Sequence, residues 1–162
     1  MEIPPDEGAQ AKAGAIARLV EFAPGRLVAL PPHTTLEVVE HPKPVTVPGA
    51  AYYAAGLLTW QDTRVPLIDL NALLRAHPGA GVRRLPRYAL IVAYQDSPGS
   101  PVQRGAIGIA QLPESVTTAD DACCELPGDS DLWPLISLSC FLHEGKAVPV
   151  IDTGRLFGAF HG

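Results

Sequence analysis

One pentapeptide occurs twice in the sequence, and this repeat limits the folds that are open to the chain. Val65–Asp69 reads VPLID, and 83 residues later Val148–Asp152 reads VPVID. At a spacing of 82 residues, Leu30-Pro31 recurs as Leu112-Pro113. Matching pairs flank the pentapeptides: Leu57-Leu58 with Cys140-Phe141, and Leu73-Leu74 with Leu156-Phe157. The shared order predicts two similar halves of roughly 70 residues, each marginal without the other.

Short apolar runs separated by turn residues indicate that each half consists of two β-hairpins. Pro, Gly and Asp between such runs favour tight turns. The predicted strand pairs are Arg18–Phe22 with Arg26–Leu30, Ala55–Gln61 with Arg64–Ile68 around Asp62-Thr63, Arg87–Tyr94 with Arg104–Ala110, and the repeat of the second pair before Asp152. Alternation along Arg87–Tyr94 predicts two different faces, one carrying Tyr88, Leu90, Val92 and Tyr94 and the other Ala89, Ile91 and Ala93.

Short helices are expected where a capping residue precedes an apolar stretch. Thr34, with Glu37 three residues later, predicts a helix over Thr34–Glu40. Asp69 predicts a helix over Asn71–Arg75, and Asp152 predicts its counterpart in the second half. Pro66 interrupts a strand and lacks a backbone donor, so we expect an edge strand or a bulge there.

Charge and composition exclude several classes of function. The net charge of −5 is spread over both halves, and the one basic cluster, Arg83, Arg84 and Arg87, is too small to track a phosphate backbone. No apolar run is long enough to span a membrane. Residues 1–14 are predicted to form a disordered tail, and they lack the features of a secretory signal, so a cytoplasmic protein is expected.

Neither cysteine nor histidine spacing indicates a disulfide framework or a metal site. The chain has three cysteines, Cys123, Cys124 and Cys140, and five histidines with no zinc-ligand spacing. The segment from Glu114 to Asp131 is acidic and contains no Lys or Arg, but its acids do not follow a calcium-loop pattern. We interpret it as a solvated loop.

One triplet invites an enzymatic hypothesis. Asp152-Thr153-Gly154 resembles the active-site triplet of aspartic proteases, whose chemistry needs two carboxylates that share a proton. The repeat would pair Asp152 with Asp69, but Leu70-Asn71 follows Asp69, so the second triplet is missing. No phosphate-binding, dinucleotide or nucleophile-elbow motif occurs. A non-enzymatic protein without catalytic, metal-binding or cofactor-binding residues is therefore predicted; a small ligand between the halves and an aspartic-type hydrolase using Asp152 remain alternatives.

The segment Gly56–Leu70, GLLTWQDTRVPLIDL, resembles the signature segment of CheW-like domains. Other pieces agree in order: Leu30-Pro31 with Leu36–Val39, Val47–Gly49, Arg87–Val92, Gly105–Ile109 and Val148–Leu156. The resemblance implies an all-β fold of two SH3-like five-stranded β-barrel subdomains packed on a shared hydrophobic core, with a few short helices. It further implies a domain over residues 15–160, with subdomain 1 at about 24–85 and subdomain 2 at about 15–23 plus 86–160.

The resemblance also implies a task. CheW-like proteins are non-catalytic adaptors that couple chemoreceptors to a CheA-type histidine kinase, binding the kinase's regulatory domain and a receptor signalling tip. A chemosensory pathway for chemotaxis or type IV pilus motility is the implied setting, with no nucleic acid and no membrane insertion. The implied partner-binding residues are Glu37, Val38, Glu40, Trp60, Gln61, Asp62, Thr63 and Arg64.

The sequence departs from the family pattern at two places in these partner-binding regions. The family's Asn-Leu-Arg-Gly is here Thr59–Asp62, which loses the Arg and the turn Gly and introduces Trp60. Thr35 stands where the family has Val. Trp60 is open to two interpretations, either as a core residue that fills a barrel end or as an anchor for a partner.

Overall fold

The computed structural model describes residues 14–75 and 85–159. All but Gly14 of the predicted N-terminal tail, and the predicted loop over 77–84, lie outside this range. The described strands are β1 (Ala15–Ala23), β2 (Arg26–Leu30), β3 (Thr35–Glu40), β4 (Ala54–Trp60), β5 (Thr63–Ile68), β6 (Tyr88–Tyr94), β7 (Gln103–Ile109), β8 (Glu114–Thr118), β9 (Ser137–His143) and β10 (Lys146–Ile151). The α-helices are α1 (Leu70–Arg75), α2 (Trp133–Ile136) and α3 (Thr153–Ala159). No helix in this part of the chain is both long and apolar enough to cross a bilayer.

The strands form two five-stranded sheets, which confirms the predicted all-β fold with two SH3-like units. The first sheet has the order β8-β1-β2-β10-β9, and the second has the order β3-β6-β7-β5-β4. Neighbouring strands are antiparallel except at β2–β10 and β5–β7, which are parallel. β6 and β7 thus share a sheet with β3, β4 and β5, although the predicted division assigns β6 and β7 to subdomain 2. β2, which that division assigns to subdomain 1, pairs with β10 in the other sheet.

The two halves exchange strands. By the repeat, β1–β2 corresponds to β6–β7, β3 to β8, and β4–β5 to β9–β10. Each sheet combines the first hairpin of one half with the last three strands of the other half. Neither half forms a sheet of its own, because the Leu-Pro connection after each first hairpin leads the chain across to the opposite sheet.

The proline of each pentapeptide lies inside a sheet. β5 and β10 occupy the second position from one edge, so of the two alternatives expected at Pro66 the edge strand is wrong. The register shift in the β4–β5 pair lies on β4, between Ala54 and Gly56, and Pro66 itself pairs with Leu57. The parallel ladder involves Leu67 and Ile68 in one sheet and Val150 in the other, and thus begins only after each proline. Proline has no N–H donor, and it fits this position because hydrogen bonding to the parallel neighbouring strand begins only at the following residue.

A shared core fills the space between the sheets. It includes Leu30 and Ile151 from the first sheet and Leu90 and Ile107 from the second, all almost fully buried. Two smaller apolar clusters lie within the individual sheets. β6 serves two clusters as its alternation predicts, since Leu90 belongs to the shared core and Ile91 to the inner cluster of the second sheet.

Both repeated aspartates cap helices, as predicted. The Asp69 carboxylate accepts a hydrogen bond from the Ala72 amide at 3.0 Å at the start of α1. The Asp152 carboxylate accepts one from the Gly154 amide at 2.9 Å and one from the Arg155 amide at 3.3 Å. Because each carboxylate is engaged by its own helix, the aspartic-protease hypothesis has no shared carboxylate pair in this fold.

Two local predictions are wrong. Residues 35–40 form β3 instead of a helix. The Thr34 and Thr35 hydroxyls donate hydrogen bonds to the Pro31 and Pro32 carbonyls. The β-branched residues that follow pair as a strand with the apolar strand β6. The acidic segment is not wholly loop, because Glu114–Thr118 forms β8 on β1. Farther along this segment Asp129 forms an ion pair with Arg26.

Candidate partner-binding surface

The turn between β4 and β5 projects four exposed polar residues. Gln61 and Asp62 are its two central residues, with φ of 49° and 60°, one position earlier than predicted. Left-handed φ at both centres is typical of the hairpin turn that matches strand twist. The repeat forms the same kind of turn at Glu144 and Gly145, with φ of 51° and 79°. The turn therefore forms without the family's glycine, and Gln61–Arg64 are exposed at its tip.

Trp60 links the two edge strands of the second sheet, β3 and β4. Its indole Nε1 donates a hydrogen bond to the Glu37 carboxylate at 3.0 Å, although β4 and β3 are the outermost strands of that sheet. Because strands at opposite ends of the order can touch only in a curled sheet, this bond closes the barrel-like curve. The Arg104 guanidinium carbon lies 5.7 Å from the centre of the Trp60 ring, at cation–π distance.

Of the two interpretations of Trp60, the structure supports core packing in part, and the role as a partner anchor stays a prediction. It is half-buried and packs with Val39 against the inner cluster of the second sheet, while the turn residues beside it are exposed. The predicted residues Glu37 and Trp60 are thus brought together by a direct bond. Arg104 is not among the predicted site residues, since its only signal in the sequence is its position at the start of a predicted strand.

A groove of about 390 Å³ runs between the two sheets beside β3. Its walls include Leu36, Val38 and Leu112, with Arg18 and Glu37 as charged neighbours. Leu36 is 44% exposed and Leu112 is 56% exposed, which makes this an open apolar surface. Leu112 and Pro113, from the connection that leads from β7 in the second sheet to β8 in the first, form part of its lining.

A bulge in β3 explains why Leu36 faces outward. The register shifts between Thr35 and Glu37, which lie opposite the adjacent residues Val92 and Ile91, so Leu36 has no partner on β6. An unpaired residue bends the strand and redirects its side chain. Of the other predicted residues, Val38 lines the groove, whereas Glu40 is exposed at the end of β3 opposite Tyr88. Leu112 and Arg18 also line the groove but are not among the predicted site residues.

Two further clefts lie beside the capped helices and correspond to each other by the repeat. One, of about 690 Å³, borders Phe22, Asp69 and Arg75; the other, of about 840 Å³, borders Tyr94, Asp152 and Arg155. Neither contains a clustered set of metal ligands, since the described residues hold no group of three or more His, Cys, Asp or Glu side chains suited to a metal ion.

Comparison with known proteins agrees with this architecture. The family model for the CheW-like domain matches residues 19–159, most of the chain. Among solved structures, the crystal structure of the scaffolding protein TtCheW from Thermoanaerobacter tengcongensis is 16% identical in sequence. That match has a TM-score of 0.66 and covers 86% of this chain and 89% of that one, which establishes a common fold. A comparison with curated proteins finds no match.

Proposed function

Since the chain belongs to the CheW-like domain family, which is a non-catalytic family of scaffolding domains, we propose that it couples a chemoreceptor to a CheA-type histidine kinase. The proposal places the protein in the cytoplasm, in a chemosensory pathway that controls chemotaxis or type IV pilus motility. It assigns the groove to the receptor signalling tip and the β4–β5 turn to the kinase's regulatory domain.

The observation that carries this proposal is the apolar groove beside β3, next to the β4–β5 hairpin that Trp60 links to Glu37. Leu36 and Leu112 expose large side chains in one concave strip, which suits the apolar face of a helical receptor tip. Arg18 and Glu37 give the rim one charge of each sign, so a partner with paired charges would be oriented as well as bound.

The turn supports the second contact. Gln61–Arg64 are exposed, and Trp60 beneath them holds the hairpin in place through its bond to Glu37. A half-buried Trp next to a polar tip is typical of residues that dominate binding energy. Because Thr59–Asp62 replaces the family's Asn-Leu-Arg-Gly, we propose that the kinase recognised here has a surface adapted to Trp60, and that the protein is a divergent adaptor.

Binding measurements with separate partners test the proposal. Titration calorimetry would use a receptor signalling tip and, independently, a CheA regulatory domain. Leu112→Ser should weaken receptor binding about tenfold through lost apolar burial, while kinase binding stays within about twofold. Leu138→Ser is the matched control, because Leu138 is 54% exposed but lies on β9, away from the groove.

Trp60 variants test the second surface. Trp60→Ala should weaken kinase binding roughly thirtyfold or more. Trp60→Phe keeps an aromatic ring but loses the donor to Glu37, and thus separates ring packing from the closing bond. If the folded wild-type protein binds neither partner at concentrations of some tens of micromolar, or if Leu138→Ser weakens receptor binding as much as Leu112→Ser, the assignment fails.

A further inference from the structure

Two cysteines face each other across the edge of the first sheet. The chain passes along the outer edge of β9 after a short 3-10 turn at Asp120–Ala122, and Cys123 forms an isolated antiparallel bridge with Phe141. The amide of the next residue, Cys124, donates a hydrogen bond to the Cys140 carbonyl at 3.0 Å. Cys124 therefore lies directly opposite Cys140, as a neighbouring antiparallel pair.

The geometry of this pair is close to that of a cross-strand disulfide. The two Sγ atoms are 3.3 Å apart, within contact distance but not bonded. Directly opposed residues of antiparallel strands have Cα atoms about 4.5–5.5 Å apart, which falls inside the range that a disulfide bridges. Bond formation needs only side-chain rotation and a small approach of the two strands.

The thiols are not needed to cover the edge itself. In the second sheet Val45 forms a comparable bridge to Leu57 on β4, with reciprocal backbone hydrogen bonds of 2.8 and 2.9 Å and no cysteine in either position. Backbone pairing thus suffices to hold a segment on the outer strand. The opposed thiols of the first sheet add a chemical property that its counterpart lacks.

The environments of the thiols differ in a way that orders their reaction. Cys123 is exposed, Cys124 is half-buried and Cys140 is buried. Burial and the contact with Cys124 raise the pKa of Cys140 to about 12, so this group remains a thiol at neutral pH. An oxidant therefore reaches Cys123 and Cys124 before Cys140, because access limits the rate of oxidation. Cys123 lies opposite Phe141 and so faces no thiol across the edge, whereas Cys124 faces Cys140.

We propose that Cys124 and Cys140 form a redox-active dithiol that closes to an intramolecular disulfide when a peroxide oxidises it. The Cys124 thiolate attacks a peroxide oxygen, the O–O bond breaks, and the departing hydroxide takes a proton to become water. The resulting sulfenic acid is attacked by the Cys140 sulfur, which loses its proton as a second water leaves. Two thiols are thus oxidised by two electrons while one hydrogen peroxide is reduced to two waters, and an external dithiol reverses the change.

The disulfide would fix the middle of the acidic segment to β9. A covalent bond would replace a contact that one bridge and one hydrogen bond maintain, so local opening of this edge would be suppressed. The closed loop has about 15 residues between the cysteines, for which an appreciable rise in stability is typical. We expect the oxidised protein to melt at a Tm several degrees higher, roughly 5 °C or more.

Thiol counting by mass spectrometry tests the proposal. The folded protein is treated with hydrogen peroxide, denatured, and alkylated with N-ethylmaleimide. The oxidised wild-type chain should retain one alkylatable thiol, and its mass should fall by that of two hydrogen atoms. Cys123→Ser should form the same disulfide and retain no alkylatable thiol. Cys124→Ser should form no intramolecular disulfide. Oxidation of the wild type in urea should be at least about tenfold slower, because unfolding separates the two thiols.

Two results would overturn the assignment. Three alkylatable thiols remaining in the oxidant-treated wild-type chain would show that the pair does not close. An intramolecular disulfide in Cys124→Ser would show that Cys123 is the true partner of Cys140. Cys124→Ser decides between these cases because a half-buried serine is tolerated, and circular dichroism confirms its fold before the oxidant is added.

Discussion

Gly105 is the position where one added methyl group has the most defined structural consequence. Gly105 lies on β7 opposite Val92, and a Cβ atom there would lie 2.3, 2.4 and 2.8 Å from three ring carbons of Phe157. The Phe157 ring is buried on α3 and stacks on Tyr94, with centroids 5.0 Å apart. The ring therefore cannot turn away from the new methyl without losing that stack, so Gly105→Ala must displace α3 from the sheet.

The magnitude is set by two opposing effects. Overpacking a tight core costs about 1–3 kcal/mol, and contacts to three ring atoms below 3.0 Å place this case near the upper end. Replacing a strand glycine by alanine restores about 0.5–1 kcal/mol through backbone entropy. We expect Gly105→Ala to lower the free energy of unfolding by about 2 kcal/mol, which corresponds to a decrease in Tm of about 4–8 °C.

Urea titration followed by circular dichroism measures this change, and a double-mutant cycle identifies its cause. Phe157→Leu removes the ring edge that the methyl meets, so adding Gly105→Ala to that variant should cost less than about 0.5 kcal/mol. Gly128→Ala is the matched control, because its Cβ would meet nothing within 4 Å, and it should be nearly neutral. An equal cost of Gly105→Ala in both backgrounds would refute the steric argument.

Three further outcomes follow from single side chains. Asp69→Ala removes the acceptor for the Ala72 amide and should cost about 1 kcal/mol in urea titration, whereas Asp69→Asn should retain most of it; equal losses would contradict a capping role. Trp133→Phe removes the buried donor to the Asp129 carboxylate and shrinks a core side chain, so about 2 kcal/mol should be lost, and unchanged stability would argue against that packing. The pKa of Cys140 is raised from 9.0 to about 12, so its protonated form stabilises the fold fully below pH 9, and this contribution is lost as the pH rises toward 12. Cys140→Ala should flatten the decline in unfolding free energy across this interval, and parallel curves would exclude the effect.

The sequence predicts most local structure but not the pairing between distant strands. The Asp69 cap and the two faces of β6 follow from short-range pattern, and the structure confirms both. The parallel pairing of β2 with β10 joins strands more than a hundred residues apart, and periodicity does not encode that partner. The exchange of strands between the halves is not predictable from the sequence for the same reason. A fold in which each half kept its own strands would bury the same strand faces as the fold in which the halves exchange them.

Residues of the candidate surface were predicted unevenly. The family resemblance pointed to Glu37 and Trp60, and the structure joins them by a hydrogen bond. Leu36 and Leu112 are exposed, but in sequence they look like any core leucine beside a turn, and only a bulge and a crossing connection turn them outward. Trp133 lies outside this surface, in the shared core, and its place there is not predictable because its helix has only four residues, too few to show a helical period.

The interleaved strand order has a consequence for the integrity of the molecule. If a protease severed the backbone between Arg75 and Leu85, both sheets would still contain strands from each piece, joined at β8–β1, β2–β10, β3–β6 and β7–β5. The nicked protein should thus persist as a non-covalent complex, and the two pieces, expressed separately, should reconstitute it. Covalent continuity in this fold acts chiefly to keep the pieces at high effective concentration, since neither piece holds a complete sheet.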